Sequence, residues 1–290
     1  VRARGLMSEW DAWVGGEERR EDRLDEALAR RWLATFDRDV AVTGPMPQGI
    51  HFCLCTPEAA TAALGEDGHP RRDEGAESFL PPVPLVRRMW AGSTITFHRP
   101  IAMGDSIERS SRLAAVTEKR GGSGRLVFVE IDHATSANGE LSVEERQTLV
   151  YREAPGSDAI LSPPEASLAT FDPGEWDAHR VITPDPRLLF RYSALTFNSH
   201  RIHYDAPFAR EVERYRGLVV HGPLTATLLL LLADRQFGSN RLASFSFRGS
   251  SPAIADEPLH LVMRGAGDCL ELGAYAGDGR QVTKAEAVLR

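Results

Sequence analysis

The stretch GLVVHGPLTATLLLLL, residues 217–232, decides how this chain folds. Its apolar run, residues 224–233, has no polar stripe, so a helix formed there must be buried on every side. Pro223 suits the first helical position, with Gly222 leading into it. The run is far too short to span a bilayer. One long buried helix wrapped by an antiparallel sheet satisfies the pattern. An ordinary buried helix in another α+β fold would show the same periodicity.

Working outward, the signals repeat once along the chain, which is the sign of a tandem duplication. GIHFCLCTPEAATAAL, residues 49–64, parallels residues 217–232, and each is expected as a short apolar strand running into a Pro-started helix. Upstream, ALARRWLATFD at residues 27–37 and LLFRYSALTFN at residues 188–198 both read as amphipathic helices. The second has a start signal in Thr183-Pro184-Asp185, a capping hydroxyl followed by Pro at the first helical position. Downstream, TITFHRPIAMGD (94–105) parallels SFSFRGSSPAIAD (244–256), and both carry strand signals. Asn138-Gly139 and Asp278-Gly279 mark hairpin turns, and the closing strands end in LVYR and AVLR. The expected organisation is an N-terminal half at 1–153, a linker rich in Pro, Ser, Asp and Gly at 154–186, and a C-terminal half at 187–290. Gly121-Gly122-Ser123-Gly124 lacks the Lys-Ser/Thr end of a phosphate loop and reads as a turn.

Composition bounds the partners. At 290 residues, with 42% hydrophobic and 26% charged residues, the chain can bury a full core. A net charge of −7 argues against nucleic acid, which needs a basic surface. The only lysines are Lys119 and Lys284, so an anionic ligand would meet arginine. Cys53, Cys55 and Cys269 are too few for a disulfide framework and complete no zinc pattern; Cys53 and Cys55 read as small buried residues in a reducing compartment. With no secretion signal and no membrane span, the cytoplasm is the expected location. Met7 reads as the natural start.

Chemistry concentrates in LTFNSHRIHYDAPFA, residues 195–209, followed by HGPL at 221–224. Two imidazoles, an amide, an arginine, a tyrosine and a carboxylate share a short loop just before a helix start. Few structural needs call for that density of polar groups, and the segment reads as an active site. His51, His69 and His98 lack such company and read as structural. His200, His203 and His221 match no familiar ligand spacing, so no metal is expected.

The residues FRYSALTFN at 190–198, His203-Tyr204-Asp205 and His221-Gly222-Pro223-Leu224 resemble the MaoC-like hydratases, hot-dog enzymes acting on acyl thioesters. LPPVPLVRRMWAG at 80–92 resembles the dehydratase half-domain that precedes the catalytic half in two-domain members. The resemblance runs from about Trp10 to the C-terminus. It implies an α+β double hot-dog, with two antiparallel sheets each wrapped on a central helix. Within the group, the likeness is to mesaconyl-C4-CoA and itaconyl-CoA hydratases and to 3-hydroxyacyl-thioester dehydratases. The family loop, roughly Gly-Asp-x-Asn-Pro-x-His-x-Asp, puts its catalytic His on His203 and its downstream Asp on Asp205. Its catalytic Asp falls on Asn198, its Asn on His200 and its Pro on Arg201. An amide cannot take a proton at neutral pH.

The resemblance implies a hydro-lyase adding water to an enoyl thioester, without a cofactor. His203 is the base, Asn198 orients water through its carbonyl oxygen, and the Gly222 N–H at the helix start stabilises the thioester oxyanion. His200 is a candidate second proton carrier. Asp205, His221 and Tyr204 are candidate supports, with His221 bracing the loop. Arg201, Arg248 and Arg88, beside Arg87, are candidates for CoA phosphates or a free carboxylate. The N-terminal half is expected to be catalytically silent, with Val42 where His203 stands in the other half.

The leading reading is a short dicarboxylic acyl-CoA substrate. The alternatives are a 3-hydroxyacyl dehydratase of fatty-acid synthesis using CoA or acyl carrier protein, and a non-catalytic thioester-binding subunit. A hot-dog thioesterase would carry an acidic residue on the buried helix, and residues 224–232 have none. Each chain already holds two halves, so a monomer or homodimer is expected.

Overall fold

The apolar run does form a helix buried on all sides. In the computed structural model, which describes residues 9–39, 44–71, 78–121 and 124–290, helix α3 spans Gly222–Phe237, with all of residues 224–233 buried. Pro223 occupies its first turn, and Gly238 ends it at φ 90° with its N–H on the Asp234 carbonyl. Gly tolerates that backbone where a side chain would be strained.

Around it runs one ten-stranded antiparallel sheet. Its strands are β1 (Glu17–Arg23), β2 (Arg87–Phe97), β3 (Ser106–Gly121), β4 (Gly124–Ala137), β5 (Glu140–Arg152), β6 (Ala178–Ile182), β7 (Leu242–Gly249), β8 (Leu259–Ala266), β9 (Cys269–Ala276) and β10 (Gln281–Leu289). Their order is β1-β3-β4-β5-β2-β7-β10-β9-β8-β6. Read from the central β2–β7 pair, the two halves follow the same plan in opposite directions. The repeat is therefore topological, and β2 and β7 weld its copies, with Ser93 opposite Phe247. The arrangement is the double hot-dog expected from the resemblance. β6 lies inside the stretch read as linker and closes the far edge on β8.

Helices α1 (Glu26–Thr35) and α2 (Pro186–Leu195) follow the first strands of their halves, β1 and β6. Each starts on an aspartate whose carboxylate accepts the N–H three residues on: Asp25 from Leu28 and Asp185 from Leu188. The cap of α2 is thus Asp185 with Pro186 at the first position, two residues beyond the expected Thr183 cap. Asn138 and Gly139 form a two-residue hairpin turn, both with positive φ.

One expected element is missing. The segment led by Pro57 forms only a 3-10 turn at Thr61–Ala63, and a second such turn, Ile50–Cys53, replaces the strand expected before it. Residues 56–64 have good helix formers but no apolar run, and they stay largely exposed. A short helix with nothing to bury is marginal in water. The second-half strand before α3 is likewise reduced to a single bridge, Val219 to Ile254.

That omission positions the site. Among the described residues the N-terminal half has no counterpart of α3, and its sheet borders a cavity of about 1270 Å³. Cys53 and Cys55 are buried free thiols, and Cys269 is exposed. Among the described residues no helix is long and apolar enough to cross a membrane. Val42 and Gly122 lie outside the described residues.

Candidate active site

The polar loop after α2 is shaped by its own sequence. After α2 ends, Phe197 takes φ 48° and turns the chain toward the cavity. The Asn198 carbonyl oxygen accepts the His200 N–H at 2.9 Å. A 3-10 turn, Arg201–His203, follows. Asp205 then pins the loop, accepting the Phe208 N–H at 3.1 Å and pairing with Arg201 at 2.7 Å. Those bonds hold its carboxyl below the usual range, with the Phe208 N–H the first cause. Asp205 therefore braces and does not face the chemistry. The Arg201 guanidinium lies over the Phe208 ring at 4.1 Å. A guanidinium so engaged is poorly placed for CoA.

His203 is buried, and its Nδ1 lies 2.6 Å from the Val219 carbonyl. A carbonyl can only accept, so Nδ1 carries the proton and Nε2 is left with a free lone pair. Burial lowers its pKa to about 4, so the ring is neutral at physiological pH. That state suits a general base. Its ring stacks on His221 with centroids 3.5 Å apart, and His221 Nε2 lies 2.9 Å from the Ser193 hydroxyl. Burial also holds His221 well below the ordinary histidine range.

Asn198, His200, His203, Tyr204, His221 and Gly222 all line the cavity, as does Arg88. Arg248 does not: it stands exposed on β7, so its assignment to substrate binding has no support in this geometry. Arg87 is buried in an ion pair with Glu213 and lies over the Tyr215 ring. The Asn198 carbonyl oxygen already serves the loop, so the amide NH₂ is the end left for a ligand. Gly222 opens α3, where the helix N–H groups are unpaired and the dipole is positive. A Cβ there would come no closer than 3.7 Å to the protein, at the Trp90 carbonyl. The space glycine leaves is therefore cavity.

Sequence reasoning gave the N-terminal half one wall of the acyl pocket but missed two of its histidines. His69 and His51, read as structural, both line the cavity. His69 packs on His200 with ring centroids 4.0 Å apart and bonds Asp67 through Nδ1 at 2.9 Å. Asp67, His69 and His200 bring ligand-type atoms within 4.8 Å of one another, and two of the three are already bonded together. His200 is pushed far down, first by burial and then by His69.

The sheet wall carries polar residues beside apolar ones such as Ile131 and Leu149. Arg109 and Ser111 on β3, His133 on β4, and Glu145 and Gln147 on β5 line the cavity, with Ser111 opposite His133 and His133 opposite Glu145. Glu145 accepts from Ser93 at 2.5 Å, and burial pushes its carboxyl up to about 7. Arg109 donates to the Cys55 carbonyl, while its Nε is buried without a partner. The missed signal was alternation: Arg109/Ser111 and Glu145/Gln147 fall two apart, on the face a core would have made apolar.

The sequence pattern of the hydroxyacyl-thioester dehydratase type 2 family matches residues 49–255. The chain is 40% identical to the mesaconyl-C(4)-CoA hydratase of Chloroflexus aurantiacus, over 97% of this chain and 98% of the relative. It is 27% identical to the mitochondrial hydroxyacyl-thioester dehydratase type 2 of Schizosaccharomyces pombe, over 85% and 87%. The crystal structure of HtdX from Mycobacterium tuberculosis superposes with a TM-score of 0.65 at 16% identity, over 94% of this chain and 98% of that one. With the matched pattern spanning both the cavity wall and the loop that carries His203, the chain belongs to the hydroxyacyl-thioester dehydratase type 2 family and is a MaoC-like double hot-dog hydro-lyase of acyl thioesters.

Proposed function

We propose that this enzyme reversibly adds water to a short enoyl-CoA carrying a second carboxylate, of the mesaconyl-C4-CoA or itaconyl-CoA type. The polar wall carries the reading. A long fatty acyl chain gains its affinity from apolar surface, at about 25 cal/mol per Å². Here the wall sets Arg109, His133, Glu145 and Gln147 among its apolar residues. Arg109 there and Arg88 near His200 supply positive charge for a carboxylate. The end-to-end similarity to a mesaconyl-C(4)-CoA hydratase points the same way.

In this mechanism His203 Nε2 removes a proton from water as its oxygen bonds the β-carbon, and it returns that proton to the α-carbon of the enolate so formed. The Gly222 N–H receives the negative charge that moves onto the thioester oxygen, a donor worth about 3 kcal/mol of barrier. Asn198 holds a ligand oxygen through its NH₂ group. The reading also favours CoA over acyl carrier protein, a monomer or homodimer, and the cytoplasm, where buried free thiols such as Cys53 stay reduced.

Following loss of the enoyl-thioester absorbance with mesaconyl-C4-CoA, itaconyl-CoA, crotonyl-CoA and a long-chain 2-enoyl-CoA tests the reading. The two dicarboxylic substrates should rank first. Preference for the long chain would overturn it in favour of a fatty-acyl dehydratase.

A further inference from the structure

A cation in the cavity stands without a counter-ion. Arg109 lines the cavity and donates to the Cys55 carbonyl, yet its Nε is buried without a partner. Among the described residues no carboxylate forms an ion pair with it, whereas Arg20 and Arg87 pair with Glu18 and Glu213. Burial lowers the Arg109 guanidinium from its ordinary range, but a guanidinium stays charged at neutral pH. A charge drawn out of water is costly unless an anion meets it.

His51 lies beside it. This ring is buried, lines the same cavity and keeps Nε2 without a partner. It is pushed down to about 3, first by burial and then by Arg109 and His133, so it is neutral and has both as close neighbours. A neutral ring with its proton on Nε2 donates to an anion. The hold of Arg109 on the Cys55 carbonyl fastens it just past the turn, Ile50–Cys53, that carries His51. His133 is itself bonded, with Nδ1 2.8 Å from the Ser111 hydroxyl and Nε2 3.4 Å from the Gln147 oxygen. Two carboxyls share this end of the cavity. Glu18 is paired with Arg20, and Glu145 accepts from Ser93 and is raised to about 7, so below that pH it offers an O–H.

Strand β2 relates this group to the reacting end. The start of α3 lies at Trp90, whose carbonyl would be 3.7 Å from a Cβ on Gly222. The Trp90 indole N–H donates to the Ser93 hydroxyl at 2.8 Å, and Ser93 leads to Glu145, which feels the charge of Arg109. Trp90 and Ser93 are three residues apart, about 10 Å of strand at most. With a hydrogen bond of about 3 Å at each end, that length holds a four-carbon acyl chain.

We propose that Arg109 and His51 seat the free carboxylate of the substrate, so that the N-terminal half selects a four-carbon dicarboxylic chain. The proposal rests on the hydratase reading and deepens it by naming the residues that choose the acyl group. Arg88, on the His200 side of the cavity, is not part of this seat.

The test compares kcat/KM for mesaconyl-C4-CoA and 3-methylcrotonyl-CoA, which has a methyl group in place of the free carboxylate. Wild type should prefer the first by about 10² or more, because the methyl analogue leaves the donors unpaired. Arg109→Met should lower that ratio by about tenfold or more and His51→Phe by about fivefold, each mainly through KM for the dicarboxylate. Arg109→Lys should keep more of the ratio than Arg109→Met. Wild type should also turn over fumaryl-CoA at least about tenfold better than trans-2-hexenedioyl-CoA, whose carboxylate lies two methylenes further out. That comparison decides the matter even if a variant fails to fold. An unchanged ratio in folded Arg109→Met and His51→Phe, in an enzyme that prefers mesaconyl-C4-CoA, would overturn the seat and leave the hydratase reading standing. Equal turnover of the two unbranched dicarboxylic thioesters would do the same. A wild type that prefers trans-2-octenoyl-CoA, or turns over no thioester, fails the reading itself and takes the seat with it.

Discussion

His203 and His221 stack face to face with centroids 3.5 Å apart, and each ring is tied down by a different element. His203 is held by the Val219 carbonyl and His221 by the Ser193 hydroxyl on α2. Burial keeps both rings neutral at rest, and at that spacing they could not both be protonated.

This sets the acid limb of the reaction. The folded His203 titrates at about 4, against 6.5 for an unperturbed ring. In the proposed hydration its neutral form is the base, so kcat/KM should stay level down to about pH 5 and fall as pH drops through about 4. The stability linked to this shift is complete above 6.5 and is lost as pH falls through about 4. An acid limb near 6.5 with an unchanged melting curve would contradict the assignment.

Gly222→Ala should leave the fold intact, since a Cβ there meets only ordinary contact at 3.7 Å. It would occupy the space where the thioester oxygen approaches the helix N–H. We expect kcat to drop by about 10²-fold, with the melting temperature within about 2 °C of wild type. Unchanged kcat would move the oxyanion site elsewhere.

Glu145 tests the polar wall by stability alone. Its carboxyl is raised to about 7 in the fold, against 4.5 when free. A raised carboxyl contributes stability below 4.5, and that contribution is lost as pH rises through about 7. Glu145→Gln should therefore melt a few degrees above wild type at pH 8.5, with no such gain at pH 5. Equal melting curves at both pH values would show that Glu145 is not buried as described.

Arg109→Met should relax the choice of acyl group. Replacing a guanidinium with an apolar side chain on this wall should shift the kcat/KM ratio between trans-2-octenoyl-CoA and mesaconyl-C4-CoA by about tenfold toward octenoyl, equivalent to about 1.4 kcal/mol. An unchanged ratio, read by the same absorbance assay, would remove Arg109 from substrate selection.

The C-terminal half was largely legible in the sequence. An all-apolar run behind Gly222-Pro223 and a dense polar loop are local signals, and both landed where expected. In the N-terminal half the helix and hairpin were legible and the cavity wall was not. Residues 56–64 read as a helix because propensity is local, whereas the need for buried surface is tertiary. The missing helix then turned alternate positions such as Arg109 and Glu145 from core into cavity wall. His69 stood alone in the sequence because its neighbour, His200, is more than a hundred residues away and meets it where the two loops join, at the Gly68–Ser199 approach and the Arg201–Asp67 bond.

The most direct test of the central claim follows hydration of mesaconyl-C4-CoA by the enoyl-thioester band, with wild type beside His203→Ala. Turnover by wild type and a loss of at least about 10²-fold in a folded His203→Ala is the predicted result. Equal turnover by the two proteins would contradict a hydration carried by His203.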